Sequence, residues 1–280
     1  MSDLAFAADL PAAARTLTAP AVILFDWHAT LVDTRDAMYR AVDEMLPRLR
    51  DLGLYDLILP YALHRNAEDA RLAEYVREHL RLPPRIVRER RISRTDIFEI
   101  LFGRDEDAKH VAHEAFNEAY RNHYGEVHPF DGSELKLLRE LDEFEVKTGI
   151  LTNREREFFE HEFALVEGGA WLGLFDTTVC GGDTLRRKPN PEPILKALVD
   201  LKYEPGPDCW YLGDSSTDVT AAKRAGVTAV LFNGAGWERK WLEKVFPGTA
   251  EHPYQPDAVV DSFVDFRWLV EECLAVRHRP

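Results

Sequence analysis

The stretch that indicates the fold most clearly is residues 21–33, AVILFDWHATLVD. Its first five residues are all apolar, which is typical of a strand that helices cover on both faces. An acidic residue, Asp26, follows directly behind that run. Because open parallel sheets bind ligands at the carboxyl ends of their strands, Asp26 is the first candidate for a functional residue.

Short apolar or β-branched runs recur along the second half of the chain, at 146–151, 177–180, 209–212, 228–232 and 258–260. Helical patterns alternate with these runs, at roughly 133–141, 155–165, 192–201, 217–225 and 263–274. A strand–helix alternation of this kind predicts an α/β fold, with a doubly wound, parallel, Rossmann-like sheet and helices on both sides.

One long interval, from Thr34 to His128, interrupts this alternation and has apolar residues at helical spacing only. One apolar stripe is Ala37, Met38, Ala41, Val42, Met45 and Leu46, and another is Ala108, Val111, Ala112, Ala115, Phe116 and Ala119. We therefore predict an all-helical domain, 34–128, inserted into a core formed by 19–33 and 129–280, with hinges near 33–35 and 126–130. Residues 1–18 are Ala-rich, and we expect a flexible leader or a short packed arm.

Composition restricts the classes of partner. The formal net charge of −14 argues against nucleic acid, because phosphate backbones are bound by basic surfaces. No apolar run approaches the roughly 20 residues that cross a bilayer, so we expect no membrane partner. The opening residues lack the basic and apolar segments of a signal peptide. Three cysteines without CxxC spacing predict neither a disulfide framework nor a zinc site, and favour a cytoplasmic location.

Polar residues follow the strand that contains residue 151 and the strand that contains residue 212. The first of these sequences is Thr152-Asn153-Arg154 and the other is Gly213-Asp214-Ser215-Ser216-Thr217-Asp218, and between them lies Lys188-Pro189-Asn190-Pro191. Together with Asp26 they offer a carboxylate nucleophile, further carboxylates for a hard cation, hydroxyl groups and one ammonium group. This combination is suited to phosphoryl transfer.

The order and spacing of these four sequences resemble the haloacid dehalogenase (HAD) superfamily, most of whose members are phosphatases. The resemblance covers nearly the whole chain from residue 21 onward, and the helical insert is similar to that superfamily's C1 cap. It implies a hydrolase in which Asp26 attacks a phosphoryl group of a small phosphorylated metabolite and forms an aspartyl phosphate.

The resemblance also implies roles for individual residues. Mg²⁺ would be held by the side chains of Asp26 and Asp214 and by the backbone carbonyl of His28, with Asp218 in an outer position or in place of a water ligand. Thr30, Thr152 and the backbone amide of Asn153 would bind phosphoryl oxygens. Lys188 would bridge the nucleophile and those oxygens.

His28 departs from the family pattern, which commonly has Asp two residues after the nucleophile to protonate the leaving oxygen and activate water. Three interpretations stay open. Imidazole titrates near neutral pH, so His28 could be the acid and base of a working phosphatase. The substrate could instead have a leaving group that needs little protonation. Finally, hydrolysis could be weak, leaving a phospho-ligand-binding or scaffold protein.

Two relatives in this superfamily also lack the second Asp. The haloacid dehalogenases are metal-free and lack an acidic residue where this chain has Asp214, which argues against carbon–halogen cleavage. Phosphonate hydrolases carry Asp-Trp-Ala at the nucleophile, similar to Asp26-Trp27, and use a cap lysine as a Schiff base. This chain has no lysine before Lys109, so a phosphonatase-like reaction would have to proceed without one in the early cap.

Arginines are frequent in the predicted cap, with seven between Arg81 and Arg104. A guanidinium group binds carboxylate or phosphate in a fork geometry. We therefore hypothesise that Arg90, Arg91 or Arg94 selects an anionic substrate. The alternative is a solvated helix face.

Overall fold

In a computed structural model of the protein, the described residues are 9–64, 66–89, 92–125 and 127–277. The chain divides into two compact units. The first comprises Met1–Asp33 and Val127–Pro280, and the second comprises Thr34–Glu126. The assignment of these units as a catalytic core and a cap stays a prediction.

The first unit contains eight strands in its described residues: β1 Val22–Asp26, β2 Val32–Asp33, β3 His128–Pro129, β4 Lys147–Leu151, β5 Thr177–Val179, β6 Cys209–Gly213, β7 Thr228–Phe232 and β8 Ala258–Val260. Six of them form a parallel sheet in the order β5-β4-β1-β6-β7-β8. The predicted α/β class is confirmed. The central strand is β1, whose residue Asp26 is level with Leu151 of β4.

The helices of the described ranges are α1 Leu10–Thr16, α2 Arg35–Met45, α3 Ala67–His79, α4 Pro84–Glu89, α5 Arg94–Phe102, α6 Glu106–Tyr120, α7 Glu134–Glu143, α8 Arg156–Leu165, α9 Glu192–Leu201, α10 Ser216–Ala225, α11 Arg239–Val245 and α12 Phe263–Arg277. Short 3-10 turns supplement them. A bilayer-spanning helix is absent from these ranges, since each helix there is too short or too polar.

Successive side chains of β1 point to opposite faces of the sheet, so they pack into two separate hydrophobic cores. Ile23 and Phe25 pack with residues of α7, α8 and α12 on one face of the sheet. Val22 and Leu24 pack with residues of α9, α10 and α11 on the other face. Because both faces are covered, every residue of β1 is buried, which explains why the strand reads as a continuous apolar run.

The N-terminal segment differs from the prediction of a flexible leader. Residues 10–16 form α1, which packs against α12 and buries Leu10, Ala13 and Ala14. These three residues are spaced i, i+3 and i+4, so they share one face of the helix. The packed-arm alternative therefore describes residues 10–16. Residues 1–8 lie outside the described residues.

A two-stranded antiparallel ribbon, formed by β2 and β3, was not predicted. Val32 is level with Pro129, and Asp33 is level with His128. Each strand has two residues, which is too short for an alternating pattern to be detected in the sequence. The ribbon lies where the chain leaves the first unit and where it returns to it.

The second unit has no β-strand in its described residues, and its regular elements are helices, with α2 packed on α6. Both predicted apolar stripes lie on these helices, and Val42 and Phe116 are fully buried. Val111 belongs to the second predicted stripe but does not lie in the core, because 38% of it is exposed. Phe98 of α5 contributes a buried ring that meets Phe116 edge-on at 6.4 Å.

Truncating a buried residue of α1 should measure how firmly the arm is held. Leu10 is 3% exposed within the core, so we expect Leu10→Ala to lower the free energy of unfolding by about 2–3 kcal/mol. The matched control is Leu185→Ala, at a leucine that is 96% exposed, which should change it by less than about 0.5 kcal/mol. Urea unfolding measures both, and equal midpoints would contradict the packing of α1.

The three cysteines should be unreactive in the folded protein. All are buried, and burial is the main cause that raises the pKa of Cys180 to about 12 and the pKa values of Cys209 and Cys273 to about 11. Because the thiolate is the reactive form, a raised pKa leaves little of it at pH 8. We expect Ellman's reagent to label no thiol rapidly in native protein and all three after unfolding in guanidinium. Rapid native labelling would contradict this burial.

Candidate active site

Polar side chains gather at the carboxyl ends of β4, β1 and β6, three neighbouring strands of the sheet. Asp26 is the last residue of β1, Thr152 follows β4, and Asp214 follows β6. The register holds these ends level, since Asp26 lies opposite Leu151 and Phe25 lies opposite Leu212. The sheet itself therefore brings together residues that are far apart in the sequence.

Lys188 lies at the centre of this group with its ammonium group buried. Its Nζ donates to Asp26 Oδ1 at 2.6 Å and to Asp218 Oδ1 at 2.8 Å. It also contacts the hydroxyl of Tyr211 at 2.7 Å and donates to the carbonyl of Leu151 at 3.2 Å. The lysine thus joins the nucleophile candidate to the loop after β6.

Burial and charge act in opposite directions on these groups. Burial raises the pKa of Asp26 most, Lys188 lowers it and Asp218 raises it, so that it moves from 3.8 to about 6. Burial opposes the charge of Lys188, but Asp218 and Asp26 outweigh it, and the pKa of the lysine is raised. Burial and the same two carboxylates raise the pKa of Tyr211 well above its ordinary value, so its hydroxyl keeps its proton.

Asp218 organises the loop that leads into α10. Its Oδ2 accepts from the backbone N–H and the hydroxyl of Ser215 at 3.1 and 2.5 Å, which forms a capping box at the start of the helix. Its Oδ1 accepts from Lys188 and from Tyr211, the latter at 3.0 Å. Both carboxylate oxygens already have donors, which favours the outer position expected for Asp218 over direct binding of a metal ion.

Three carboxylates converge at the site. Asp26, Asp214 and Asp218 each offer an oxygen within 4.8 Å of the other two. Oxygen atoms from carboxylates and backbone carbonyls are the ligands that Mg²⁺ prefers. The donor set therefore fits the predicted ion, with Asp26, Asp214 and the carbonyl of His28 as its expected ligands.

The predicted phosphoryl-binding residues lie beside these groups. The hydroxyl of Thr30 is 3.5 Å from Asp26 Oδ2, and the hydroxyl of Thr152 accepts from the backbone N–H of Arg154 at 3.1 Å. The Asn153 side chain holds the backbone of Lys188, donating to its carbonyl and accepting from its N–H, each at 3.0 Å. Asn153 therefore fixes the lysine as well as offering its own backbone amide.

His28 has a partner that the sequence did not reveal. Arg154 donates from Nε to His28 Nε2 at 2.6 Å, and Arg154 is itself buried. Glu162 of α8, which is fully buried, lies 3.6 Å from Arg154 and 3.4 Å from His28 Nε2. Glu162 also accepts from Trp27 Nε1 at 2.8 Å. Trp27 is fully buried, so it is a core residue.

A family model described as haloacid dehalogenase-like hydrolase matches residues 82–232, more than half of the chain. The chain belongs to the haloacid dehalogenase-like hydrolase family. The matched range includes Thr152, Lys188 and Asp214, whereas Asp26 precedes it. The predicted family is confirmed.

Similar proteins of this hydrolase family carry phosphatase names. A phosphoglycolate phosphatase of Rhodospirillum rubrum is 37% identical over 139 residues, 47% of this chain and 54% of that protein. One of Pseudomonas savastanoi pv. phaseolicola is 26% identical over 260 residues, 91% of this chain and 80% of that protein. The match spans less than two thirds of the first curated relatives, 64% and 54% of their lengths.

A solved structure of a HAD family hydrolase from Deinococcus radiodurans R1, with bound phosphate and sodium, has a TM-score of 0.53 at 19% identity. That match covers 91% of this chain and 97% of the other. At this identity the similarity shows a shared fold.

The arginines predicted to select an anionic substrate are placed only in part. Arg90 and Arg91 lie outside the described residues. Arg94 donates to Asn117 at 3.4 Å, and its guanidinium lies 4.5 Å from the centre of the Phe116 ring, both within the second unit. A role in substrate selection stays a prediction.

Sequence reasoning missed three residues of the candidate site, namely Tyr211, Arg154 and Glu162. Tyr211 lies within the apolar run of β6, where its hydroxyl is not conspicuous. Arg154 directly follows the predicted Thr152-Asn153 pair, and this proximity in the sequence could have marked it as a residue of the site. Glu162 lies on α8, where an acidic residue usually indicates a solvated face.

The backbone at Gly213 passes close to the side chain of Asp218. A Cβ atom added there would lie 2.4 Å from Asp218 Cγ, so Gly213→Ala must displace the carboxylate that holds Lys188. We expect the free energy of unfolding to fall by about 1–3 kcal/mol in urea. The matched control is Gly182→Ala, whose Cβ would meet only Glu155 Oε2 at 3.5 Å. Equal stability of the two variants would contradict this close approach.

Proposed function

We propose that the protein is a Mg²⁺-dependent phosphatase that hydrolyses a small phosphorylated metabolite through an aspartyl phosphate on Asp26. One observation carries this proposal. A buried carboxylate at the end of the central strand lies 2.6 Å from a buried ammonium group and within 4.8 Å of two further carboxylates. Such a site combines a nucleophile with the charges that phosphoryl transfer needs.

Formal charge supports the need for a cation. Asp26, Asp214 and Asp218 bring three negative charges and Lys188 brings one positive charge, which leaves −2 before any substrate binds. A divalent cation neutralises this excess, and when bound it polarises the phosphoryl group as a Lewis acid. Asp26, Asp214 and the carbonyl of His28 would hold it.

The reaction would proceed in two displacements. The Asp26 carboxylate attacks phosphorus, the bond from phosphorus to the leaving oxygen breaks, and its electron pair departs with that oxygen. Lys188, which is fixed by Asn153 and Asp218, offsets charge on the phosphoryl oxygens. Water then attacks the same phosphorus, the bond to Asp26 breaks, and phosphate leaves with both protons of the water.

Curated relatives support the substrate class. Two of the relatives described above are named phosphoglycolate phosphatase, and phosphoglycolate is a small, anionic phosphomonoester. The net charge of −14 makes a nucleic-acid substrate unfavourable. We therefore propose a small phosphorylated substrate, and a cytoplasmic location in agreement with its unbridged cysteines.

Carbon–phosphorus cleavage through a Schiff base receives no support from the second unit. Lys109 is its first lysine, and the Nζ of this residue lies 2.7 Å from Glu106 and 2.9 Å from Glu99. Burial opposes the charge, but these two carboxylates prevail and raise the pKa of Lys109. A Schiff base needs the neutral amine, which this pairing disfavours.

Replacing the nucleophile should abolish turnover while leaving the fold intact. Asp26→Asn keeps the shape of the side chain, so we expect kcat for p-nitrophenyl phosphate with Mg²⁺ to fall by about 1000-fold or more. The matched control is Asp51→Asn at an exposed turn, which should retain wild-type turnover. Circular dichroism should show the same fold in all three proteins.

The dependence on metal and the intermediate are tested with wild-type protein. Turnover should disappear with EDTA and return with added Mg²⁺. Acid quenching during turnover of ³²P-labelled substrate should leave label on the protein, and the label should be lost in hydroxylamine, as expected for an acyl phosphate. Undiminished turnover by Asp26→Asn, or full activity in EDTA, would rule out this mechanism.

A further inference from the structure

The ammonium group of Lys188 meets more acceptors than it has protons to donate. Four oxygen atoms of the described residues lie within hydrogen-bond distance of its Nζ: Asp26 Oδ1 at 2.6 Å, Tyr211 Oη at 2.7 Å, Asp218 Oδ1 at 2.8 Å and the carbonyl of Leu151 at 3.2 Å. An ammonium group has three N–H donors and no acceptor. The three shorter contacts can take all of these protons, so a phosphoryl oxygen reaches one only when an existing contact is released.

The contacts of Lys188 differ in how readily they can be released. Those to Asp26 and Asp218 join a buried ammonium group to carboxylates, and breaking such a pair leaves a buried charge uncompensated. Charge-assisted hydrogen bonds between two ions are also the stronger kind. Tyr211 and the carbonyl of Leu151 are neutral, and the tyrosine contact is the shorter of the two, at 2.7 Å against 3.2 Å. An incoming phosphoryl oxygen therefore competes with Tyr211 for the third N–H.

Tyr211 can lose this contact without leaving a donor unpaired. Its hydroxyl donates to Asp218 Oδ1 at 3.0 Å and accepts from Lys188 through its oxygen, so its own proton stays engaged when the lysine turns away. The side chain of Lys188 is 4% exposed, so little water reaches the ammonium group. Since a buried donor without an acceptor is costly, the lysine needs a third protein acceptor whenever no phosphoryl group is bound. A neutral hydroxyl meets that need and can still be displaced.

We propose that Tyr211 holds the third N–H of Lys188 until a phosphoryl oxygen takes its place, and that this exchange lowers the affinity of the site for phosphoryl groups. A hydrogen bond that exists only in the free protein opposes binding, because binding must break it. Tyr211 is a positioning residue, since it acts through Lys188. This inference rests on the proposed phosphatase function and adds a residue that sets the affinity of the same site. Only hydrogen bonds change in the exchange.

Removing the hydroxyl should tighten the binding of phosphate. Tyr211→Phe deletes the contact to Lys188 from the free protein, whereas the phosphate-bound protein has already lost it. The hydrogen bond to Asp218 is lost from both states, so it does not alter the difference between them. With Mg²⁺ present, we expect the dissociation constant of inorganic phosphate, measured by calorimetry, to fall by about 2- to 10-fold, as one hydrogen bond allows. A tyrosine that only supports the core would leave this constant unchanged or raise it.

The matched control is Tyr203→Phe, which should keep the wild-type constant. Tyr203 packs against the same core but precedes β6, at the opposite end of that strand from the site. An unchanged or raised constant in folded Tyr211→Phe, or an equal fall in Tyr203→Phe, would overturn the inference. Turnover of p-nitrophenyl phosphate by wild-type protein without measurable phosphate binding would overturn this inference alone. Wild-type protein that neither binds phosphate nor turns over the ester would overturn the phosphatase proposal as well.

Crystal structures of the wild-type protein cover the case in which Tyr211→Phe does not fold. One crystal would contain Mg²⁺ alone, and the other Mg²⁺ with orthovanadate as a phosphate mimic. With vanadate bound, we expect Nζ of Lys188 to contact a vanadate oxygen and to lie more than about 3.5 Å from the hydroxyl of Tyr211, beyond hydrogen-bond distance. A tyrosine contact that persists beside the vanadate, or release of Asp218 in its place, would overturn the inference. Failure of vanadate to bind would overturn it too.

Discussion

The arrangement of the site depends on one buried ammonium group, that of Lys188, held between Asp26 and Asp218. Removing one partner from a buried ion pair costs about 3–5 kcal/mol, because the remaining charge is left uncompensated. Each member here is therefore secured by further contacts. Asn153 holds the lysine backbone, Ser215 holds Asp218, and Tyr211 contacts both the lysine and Asp218.

This interaction explains why residues from distant parts of the sequence meet at one edge of the sheet. The parallel register brings the ends of β1, β4 and β6 level, and the lysine then connects the β1 carboxylate to the loop after β6. The close passage of Gly213 beside Asp218 belongs to the same constraint, since a side chain at residue 213 would displace the Asp218 carboxylate that holds Lys188. The fold supplies the proximity, and the buried charges fix the orientation.

The sequence predicted the sheet and much of the site because buried parallel strands leave continuous apolar runs and place polar residues at their ends. The segments it could not predict have weaker signals. The ribbon of β2 and β3 has two residues in each strand, and α1 lies in an Ala-rich segment whose packing partner, α12, is more than 240 residues away along the chain. Hydrophobic patterns do not report contacts over that separation.

The polar partners were missed for a different physical reason. Tyr211 and Glu162 act through polar atoms that face buried charges, and a residue pattern records side-chain type rather than direction. Glu162 in particular lies on an amphipathic helix, where an acidic residue usually faces solvent. Only the fold shows that its carboxylate points inward to Arg154.

The site contains two buried cations, and each of them contacts a different residue at or just after the carboxyl end of β1. Lys188 holds the proposed nucleophile, because its contacts are Asp26 and Asp218, the carboxylate that anchors the loop after β6. Arg154 serves the residue two positions later, because its contacts are His28 and Glu162. A carboxylate at position 28 would add a fourth negative charge to the three that converge there and would compete with Glu162 for the guanidinium. An imidazole adds no carboxylate there, which gives a physical reason for histidine at the position where the family commonly has aspartate.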